Sequence, residues 1–170
     1  VSTLIGTGKP GLSETEVNNP YGMTIGPDGA LYFADLDNQR IRRLDLKTHK
    51  TTVIAGNGKR GYSGDGGPAT AAGIYYIYGM AADGAGNVYI ADYNYRKVRK
   101  INASGIIDVY AGVGTSSFGF SGDGGPATAA SIYPYGIAID AAGNLDIADY
   151  SNYRVRRVNP SGIINTIAGN

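Results

Sequence analysis

Tyr78-Gly79-Met80-Ala81-Ala82-Asp83-Gly84-Ala85-Gly86-Asn87-Val88-Tyr89-Ile90-Ala91-Asp92-Tyr93-Asn94-Tyr95-Arg96-Lys97-Val98-Arg99-Lys100-Ile101 reads as three short strands joined by tight links. The stretch occurs three times. Its copies open at Tyr21-Gly22, Tyr78-Gly79 and Tyr135-Gly136, and the period of 57 residues is kept by Asp35, Asp92 and Asp149. Self-similarity at a fixed period is the signature of a repeat architecture and is read before any local propensity.

A fourth β-branched run follows each copy: Thr52-Val53-Ile54-Ala55-Gly56, Asp108-Val109-Tyr110-Ala111-Gly112 and Asn165-Thr166-Ile167-Ala168-Gly169. Each repeat therefore holds strands A to D, predicted in the first repeat over 22–25, 30–34, 40–45 and 51–55. The A–B links carry Asp28-Gly29, Gly86-Asn87 and Gly143-Asn144, and the C–D links include Ala103-Ser104-Gly105 and Pro160-Ser161-Gly162, all of it turn chemistry. Pro68-Ala69-Thr70-Ala71-Ala72 has room for one helical turn. Val1-Ser2-Thr3-Leu4-Ile5-Gly6-Thr7-Gly8 resembles strand D and is expected to be a thirteenth strand. Four antiparallel strands per repeat make an all-β chain of three propeller blades, which cannot bury their faces unless they stack. The expected units are an N-terminal strand at 1–8 and blades at 9–56, 57–112 and 113–170.

The repeat resembles the NHL repeat, most closely at Asp35-Leu36-Asp37-Asn38-Gln39-Arg40-Ile41-Arg42-Arg43 and Asp149-Tyr150-Ser151-Asn152-Tyr153-Arg154-Val155-Arg156-Arg157. Blade 2 departs from that pattern, with Tyr95 and Lys97 where Asn and Arg stand in the family. The Ser-Gly-Asp-Gly-Gly-Pro-Ala-Thr-Ala-Ala stretch at 63–72 and 121–130 is similar to the inter-blade loop of bacterial NHL proteins. The resemblance implies a six-bladed ring. Three blades alone leave two bare apolar flanks, so a two-fold homodimer closing one ring is expected. The N-terminal strand and the 163–169 strand then compete for the outer place of blade 3, and the sequence leaves that open. The near-repeat ends suggest a fragment or an engineered half-propeller.

Composition narrows the chemistry. Fifteen basic and 14 acidic residues give a net charge of +1, so nothing draws the whole surface to nucleic acid or membrane. Cysteine is absent, which excludes disulfides and thiolate chemistry. No apolar run reaches the roughly 20 residues that span a bilayer. Val1 opens directly on a strand-like segment, so a targeting peptide is not expected within this sequence, and exported and cytoplasmic locations both stay open.

Tyr21, Tyr78 and Tyr135 begin strand A, Tyr75, Tyr76 and Tyr133 precede it, and Tyr93, Tyr95, Tyr150 and Tyr153 sit on the B–C links. By resemblance these links share the ligand face of a propeller. Clustered phenols suit sugar rings, peptides or bases, and they equally suit packing between blades. Asp35, Asp92 and Asp149 with Arg40, Lys97 and Arg154 have turn spacing, which points to a structural motif in which the carboxylate orders the B–C link. The Gly-Asp-Gly-Gly loops read as glycine turns, with an anion nest as the alternative. Arg42, Arg43, Arg99, Lys100, Arg156 and Arg157 recur on strand C, and RNA binding through them is not favoured at this charge balance. Asp146 replaces the tyrosine found at Tyr32 and Tyr89, and is expected at a solvated or interface position. Lyase relatives of the family rely on several histidines around a metal, whereas this chain has only His49, on a C–D link. No catalytic residues, metal or cofactor are therefore expected. The sequence reading is a non-enzymatic scaffold that pairs with itself, with a carbohydrate- or peptide-binding domain on the tyrosine face as the alternative.

Overall fold

The computed structural model describes residues 2–115 and 117–169. Blade 1 is a sheet of β1 (Pro20–Ile25), β2 (Leu31–Asp35), β3 (Arg40–Leu44) and β4 (Thr51–Ala55), in that order across the sheet. A two-residue β5 (Gly67–Pro68) precedes β6 (Ile77–Ala82), β7 (Val88–Asp92), β8 (Lys97–Ile101) and β9 (Ile106–Ala111). Blade 3 repeats this with β10 (Gly125–Pro126), β11 (Pro134–Ile139), β12 (Leu145–Asp149), β13 (Arg154–Val158) and β14 (Ile163–Ala168). All pairings are antiparallel, so the chain is an all-β propeller segment of three sheets.

Two features differ from the sequence expectation. Blades 2 and 3 have five strands, because the Gly-Pro of the loop at 63–72 pairs with β9 and that at 121–130 pairs with β14. The next three residues, Ala69–Ala71 and Ala127–Ala129, form single 3-10 turns. The second difference is at the N-terminus. Val1 lies outside the described residues, and 2–8 form no strand. The 163–168 segment takes the outer place of blade 3 as β14, continuing the hairpin from β13.

Apolar side chains leave both faces of the strands, and the faces that neighbouring blades share pack together. Ile41 and Ala55 of blade 1 meet Ile74, Ile90 and Ile107 of blade 2, while Val98 and Ala111 meet Ile132, Ile147 and Ile164 of blade 3. Each such isoleucine taken fully from water contributes about 1.5–3 kcal/mol. Nearest the axis the inner strands touch through backbone. A Cβ at Gly22 would collide with the Tyr78 carbonyl oxygen, and one at Gly79 would lie 2.7 Å from the Tyr135 carbonyl oxygen. Glycine is what lets β1 approach β6, and β6 approach β11.

Gly79→Ala is expected to lower stability by about 1–3 kcal/mol, the cost of forcing a methyl into a packed contact. Urea unfolding of the variant against the parent chain measures this, and an unchanged midpoint would contradict the close approach.

Candidate functional site

The β1–β2, β6–β7 and β11–β12 ladders each slip register where the inner strand begins, between Tyr21 and Met23, Ile77 and Gly79, and Pro134 and Ile137. Such bulges re-aim side chains. Here they bring Tyr21, Tyr78 and Tyr135 together at one end of the inner strands. Ring centroids are 5.0 Å apart for Tyr21–Tyr78 and 4.9 Å for Tyr78–Tyr135, and the Tyr21 and Tyr135 hydroxyls lie 3.2 Å apart. Tyr93 packs on Tyr78 at 5.3 Å, Tyr150 on Tyr135 at 5.3 Å, and Tyr76 joins Tyr78 to Tyr75.

Seven of the ten tyrosines singled out in the sequence thus form one continuous patch: Tyr21, Tyr75, Tyr76, Tyr78, Tyr93, Tyr135 and Tyr150. Tyr133 stands apart, under the Arg96 guanidinium at 4.5 Å. Tyr95 packs instead on Tyr62 at 5.1 Å, and Tyr153 is almost fully exposed. Burial raises the pKa of Tyr78, and the hydrogen bond with Tyr21 raises that of Tyr135. These phenols stay neutral at ordinary pH, so they can stack and exchange hydrogen bonds rather than act as phenolate nucleophiles.

The Asp set is built differently from its spacing. Asp35, Asp92 and Asp149 lie directly across the ladder from Arg40, Lys97 and Arg154, yet those cations turn away. Arg40 and Arg154 donate to the carbonyls of Asn38 and Asn152, and Lys97 lies over the Tyr62 ring. The carboxylates are buried, and those of blades 1 and 3 tie the chain leading into the blade to the B–C link. Asp35 accepts the Asn18 N–H at 2.7 Å and Asp149 the Tyr133 N–H at 2.6 Å, and each also accepts from an asparagine, Asn38 or Asn152.

The cations that matter sit two residues further on. Arg42, Arg99 and Arg156 repeat at the same period and are all buried, so they offer no basic face to RNA. Arg99 donates to the Asp65 carboxylate at 2.8 Å and to the carbonyls of Gly73 and Ser63, and Arg156 donates to Asp123 at 2.7 Å and to the Ser131 carbonyl. Asp65 and Asp123 are the acids of the two Gly-Asp-Gly-Gly loops, so those loops hold an arginine rather than an anion. Blade 1 lacks that loop. Arg42 instead donates to the carbonyls of Ser13, Glu14 and Glu16, to Thr51 and to Asp35. The sequence signal for this partnership was present in the Asp of the repeated loop. Of the neighbouring strand C cations, Arg43 pairs with Asp28, and Arg157 holds Asp146 through two bonds of 2.7 Å. His49 is on the β3–β4 link with φ +57°, and among the described residues no three His, Asp or Glu groups converge to hold a metal.

Blade 2 carries the least satisfied carboxylate of the set, since Asp149 also has a buried Oδ2 without a partner but accepts two hydrogen bonds on its Oδ1. Tyr95 stands where Asn38 and Asn152 supply a donor, so Asp92 keeps only the Tyr95 N–H, and its Oδ2 is buried without a partner. Burial, the largest cause, pushes Asp92 up to about 7, against an ordinary 3.8.

No protein-family model matches the chain. It is 31% identical to teneurin-4 of Mus musculus over 163 residues, which is 88% of this chain and 6% of the teneurin. It is 38% identical to NHL repeat-containing protein 2 of Homo sapiens over 56 residues, covering 33% of this chain and 8% of that protein. The chain therefore spans only a small part of the length of these relatives. Virginiamycin B lyase from Staphylococcus aureus superposes with a TM-score of 0.58 at 18% identity, over 94% of this chain and 43% of the lyase, a likeness of fold.

Asp92 gives a pH signature. Between pH 4 and 7 the folded chain keeps a proton there that the unfolded chain releases, so this group weakens folding as pH rises, and its full penalty is present above about 7. Tyr95→Asn restores the missing donor and should flatten that fall. At pH 8 the relief is about 1–3 kcal/mol, the cost of an orphaned buried polar group, less whatever the lost Tyr95–Tyr62 contact removes at every pH. Denaturant titrations at several pH values compare the two slopes, and parallel curves would refute this account of Asp92.

Proposed function

We propose that the chain is a non-enzymatic, NHL-type interaction module whose three blades close a six-bladed ring with three blades of a second copy. Support for the NHL type comes from the repeat motifs and from the 38% identity over one 56-residue stretch of NHL repeat-containing protein 2. One observation carries the self-assembly. Residues that seal the two internal seams recur, unsealed, on the outer flanks. Val155 is 37% exposed, whereas Ile41 and Val98 at the same place in blades 1 and 2 are 0% exposed. On the opposite flank Met23 is 59% exposed against 6% for Met80.

The inner strand of blade 3 also keeps its glycine without a neighbour. The nearest atom to a Cβ at Gly136 is the Ala148 Cβ at 3.8 Å, where the equivalent Gly22 and Gly79 meet the carbonyl of the next blade. The β1 backbone of a second copy fits there. The blade 3 flank then receives the blade 1 flank of the partner, twice, around a two-fold axis, and 3 + 3 blades fall within the 4–8 that propellers adopt.

The tyrosine patch supports a second reading, a carbohydrate or peptide site on the face where the rings converge, because Tyr21, Tyr135 and Tyr150 all remain exposed within one continuous aromatic surface. The role of scaffold and the role of binder are compatible in one ring.

Sedimentation equilibrium at micromolar concentration is expected to give twice the chain mass. Gly136→Ala should leave the single chain as stable as the parent, within about 0.5 kcal/mol, yet break the dimer. A parent chain that stays monomeric up to about millimolar concentration with residues 2–8 removed, or a Gly136→Ala chain that dimerises equally well, overturns the closure. For the second reading, a glycan and peptide array probed with parent and Tyr150→Ala chains should show binding that the substitution weakens about tenfold or more, the loss of one stacked ring. Binding indifferent to Tyr150 would remove it.

A further inference from the structure

Each internal seam is locked by the same contact. The outer strand ends on a left-handed glycine, Gly56 at φ +93° and Gly112 at φ +96°. An isoleucine from the lead-in of the following blade presses on it. A Cβ at Gly56 would lie 2.9 Å from Ile74 Cδ1, and one at Gly112 would lie 3.1 Å from Ile132 Cδ1. Both the space and the positive φ exclude other residues. One backbone bond accompanies each knob, Asn57 N–H to the Ala72 carbonyl and Val113 N–H to the Ala130 carbonyl, both 2.9 Å.

The third socket is vacant. Gly169, at φ +92°, has no isoleucine against it, and with Ala148, Tyr153, Val155 and Ala168 it borders a cavity of about 240 Å³. The matching place in blade 1, between Ala34, Gln39 and Arg40, is taken by Ile74 and the residues after it.

The unmatched knob is Val17, five residues before Gly22 as Ile74 is five before Gly79. It is covered by its own N-terminus. Gly6, at φ +111°, would bring a Cβ to 3.7 Å from Val17 Cγ2, and its N–H donates to the Thr15 carbonyl at 3.0 Å. Gly6 thus rests on blade 1 as Gly56 rests on blade 2. The segment has little else to hold it, since Ser2, Thr3 and Leu4 are exposed.

Resting on the ring closure proposed above, we infer that Val17 of each copy is the knob for the vacant blade 3 socket of the other, and that Gly6 occupies this knob in the free chain as a self-cap. Gly6 and Gly169 of a second copy cannot both cover Val17, because each fills the same left-handed corner. Ring closure therefore requires residues 2–8 to lift, and assembly is throttled by the chain's own N-terminal segment.

Sedimentation equilibrium of three chains tests this: the full chain, a chain beginning at Lys9, and Val17→Asp in the chain beginning at Lys9. The chain beginning at Lys9 should dimerise with a Kd about tenfold or more below that of the full chain, and Val17→Asp should abolish the gain. Equal Kd values for the first two overturn the self-cap while leaving ring closure standing. Monomers in both overturn ring closure and the self-cap together. Circular dichroism and melting of each monomer report folding, and Val155→Asp, on the socket side of the same seam, replaces Val17→Asp if that chain does not fold. A dimer indifferent to both substitutions refutes the knob and socket.

Discussion

The interaction on which each blade depends is a guanidinium buried at the centre of its third strand. Arg42, Arg99 and Arg156 lie within the packed sheets, where an unpaired cation would cost several kcal/mol. Each is instead held by the chain that leads into its blade, through carbonyls in every case and a loop carboxylate in blades 2 and 3. The demand runs both ways: the arginine needs carbonyls and a carboxylate, and a loop of glycine and alanine needs something to fix it. A register slip between the third and fourth strands sits beside every one of these arginines, between Ile41 and Arg42, Val98 and Arg99, and Val155 and Arg156. The bulge turns the side chain from the solvent edge toward the loop. Loop order, and with it the placement of the isoleucine knobs, follows from that one bond set.

Much of this was legible in the sequence, but not all of it. The 57-residue period and the alternation of apolar residues locate the strands and their order, because both are local signals that packing does not override. The tyrosine patch was legible from Tyr21, Tyr78 and Tyr135 recurring at the head of strand A. The partner of each buried cation was not, because it lies far along the chain: Arg99 reaches Asp65, 34 residues away, and Arg156 reaches Asp123, 33 away. Spacing favours the near pair, Asp35 with Arg40, and those two do face each other across the ladder. Only the geometry of the bulge shows that Arg42 points inward while Arg40 does not. Period-2 alternation does separate Arg42 from Arg43, which leaves for Asp28 on the other face.

The shorter lead-in of blade 1 makes a natural comparison with the other two. Without the Asp-Gly-Gly-Pro segment there is no fifth strand on β4 and no loop carboxylate for Arg42. Backbone carbonyls of Ser13, Glu14 and Glu16 replace it, and Asp35 moves to 3.1 Å from the guanidinium. In blade 3 the corresponding Asp149 stands off at 3.8 Å, since Asp123 already answers Arg156. Each cation keeps a carboxylate and at least one lead-in carbonyl, and the source of the carboxylate changes. Blade 2 shows the limit of this tolerance: Asp65 takes Arg99, Tyr95 offers Asp92 no side-chain donor, and the carboxylate is left to hold a proton in place of a partner.

The axis and the flanks are mechanically one object. Tyr78 stacks between Tyr21 and Tyr135, whose hydroxyls meet, so the three inner strands are tied at their heads by aromatic contacts as well as by the glycine approaches beneath. Anything that separates two neighbouring blades must also part those rings, at about 0.5–1.5 kcal/mol for each aromatic pair. A fourth blade docking beside Gly136 would bring its own leading tyrosine next to Tyr135. Covering the bare flank and completing the aromatic mouth are therefore the same event, and a ligand that stacks on the exposed edge of Tyr135 and Tyr150 competes for the ground that the next blade would occupy.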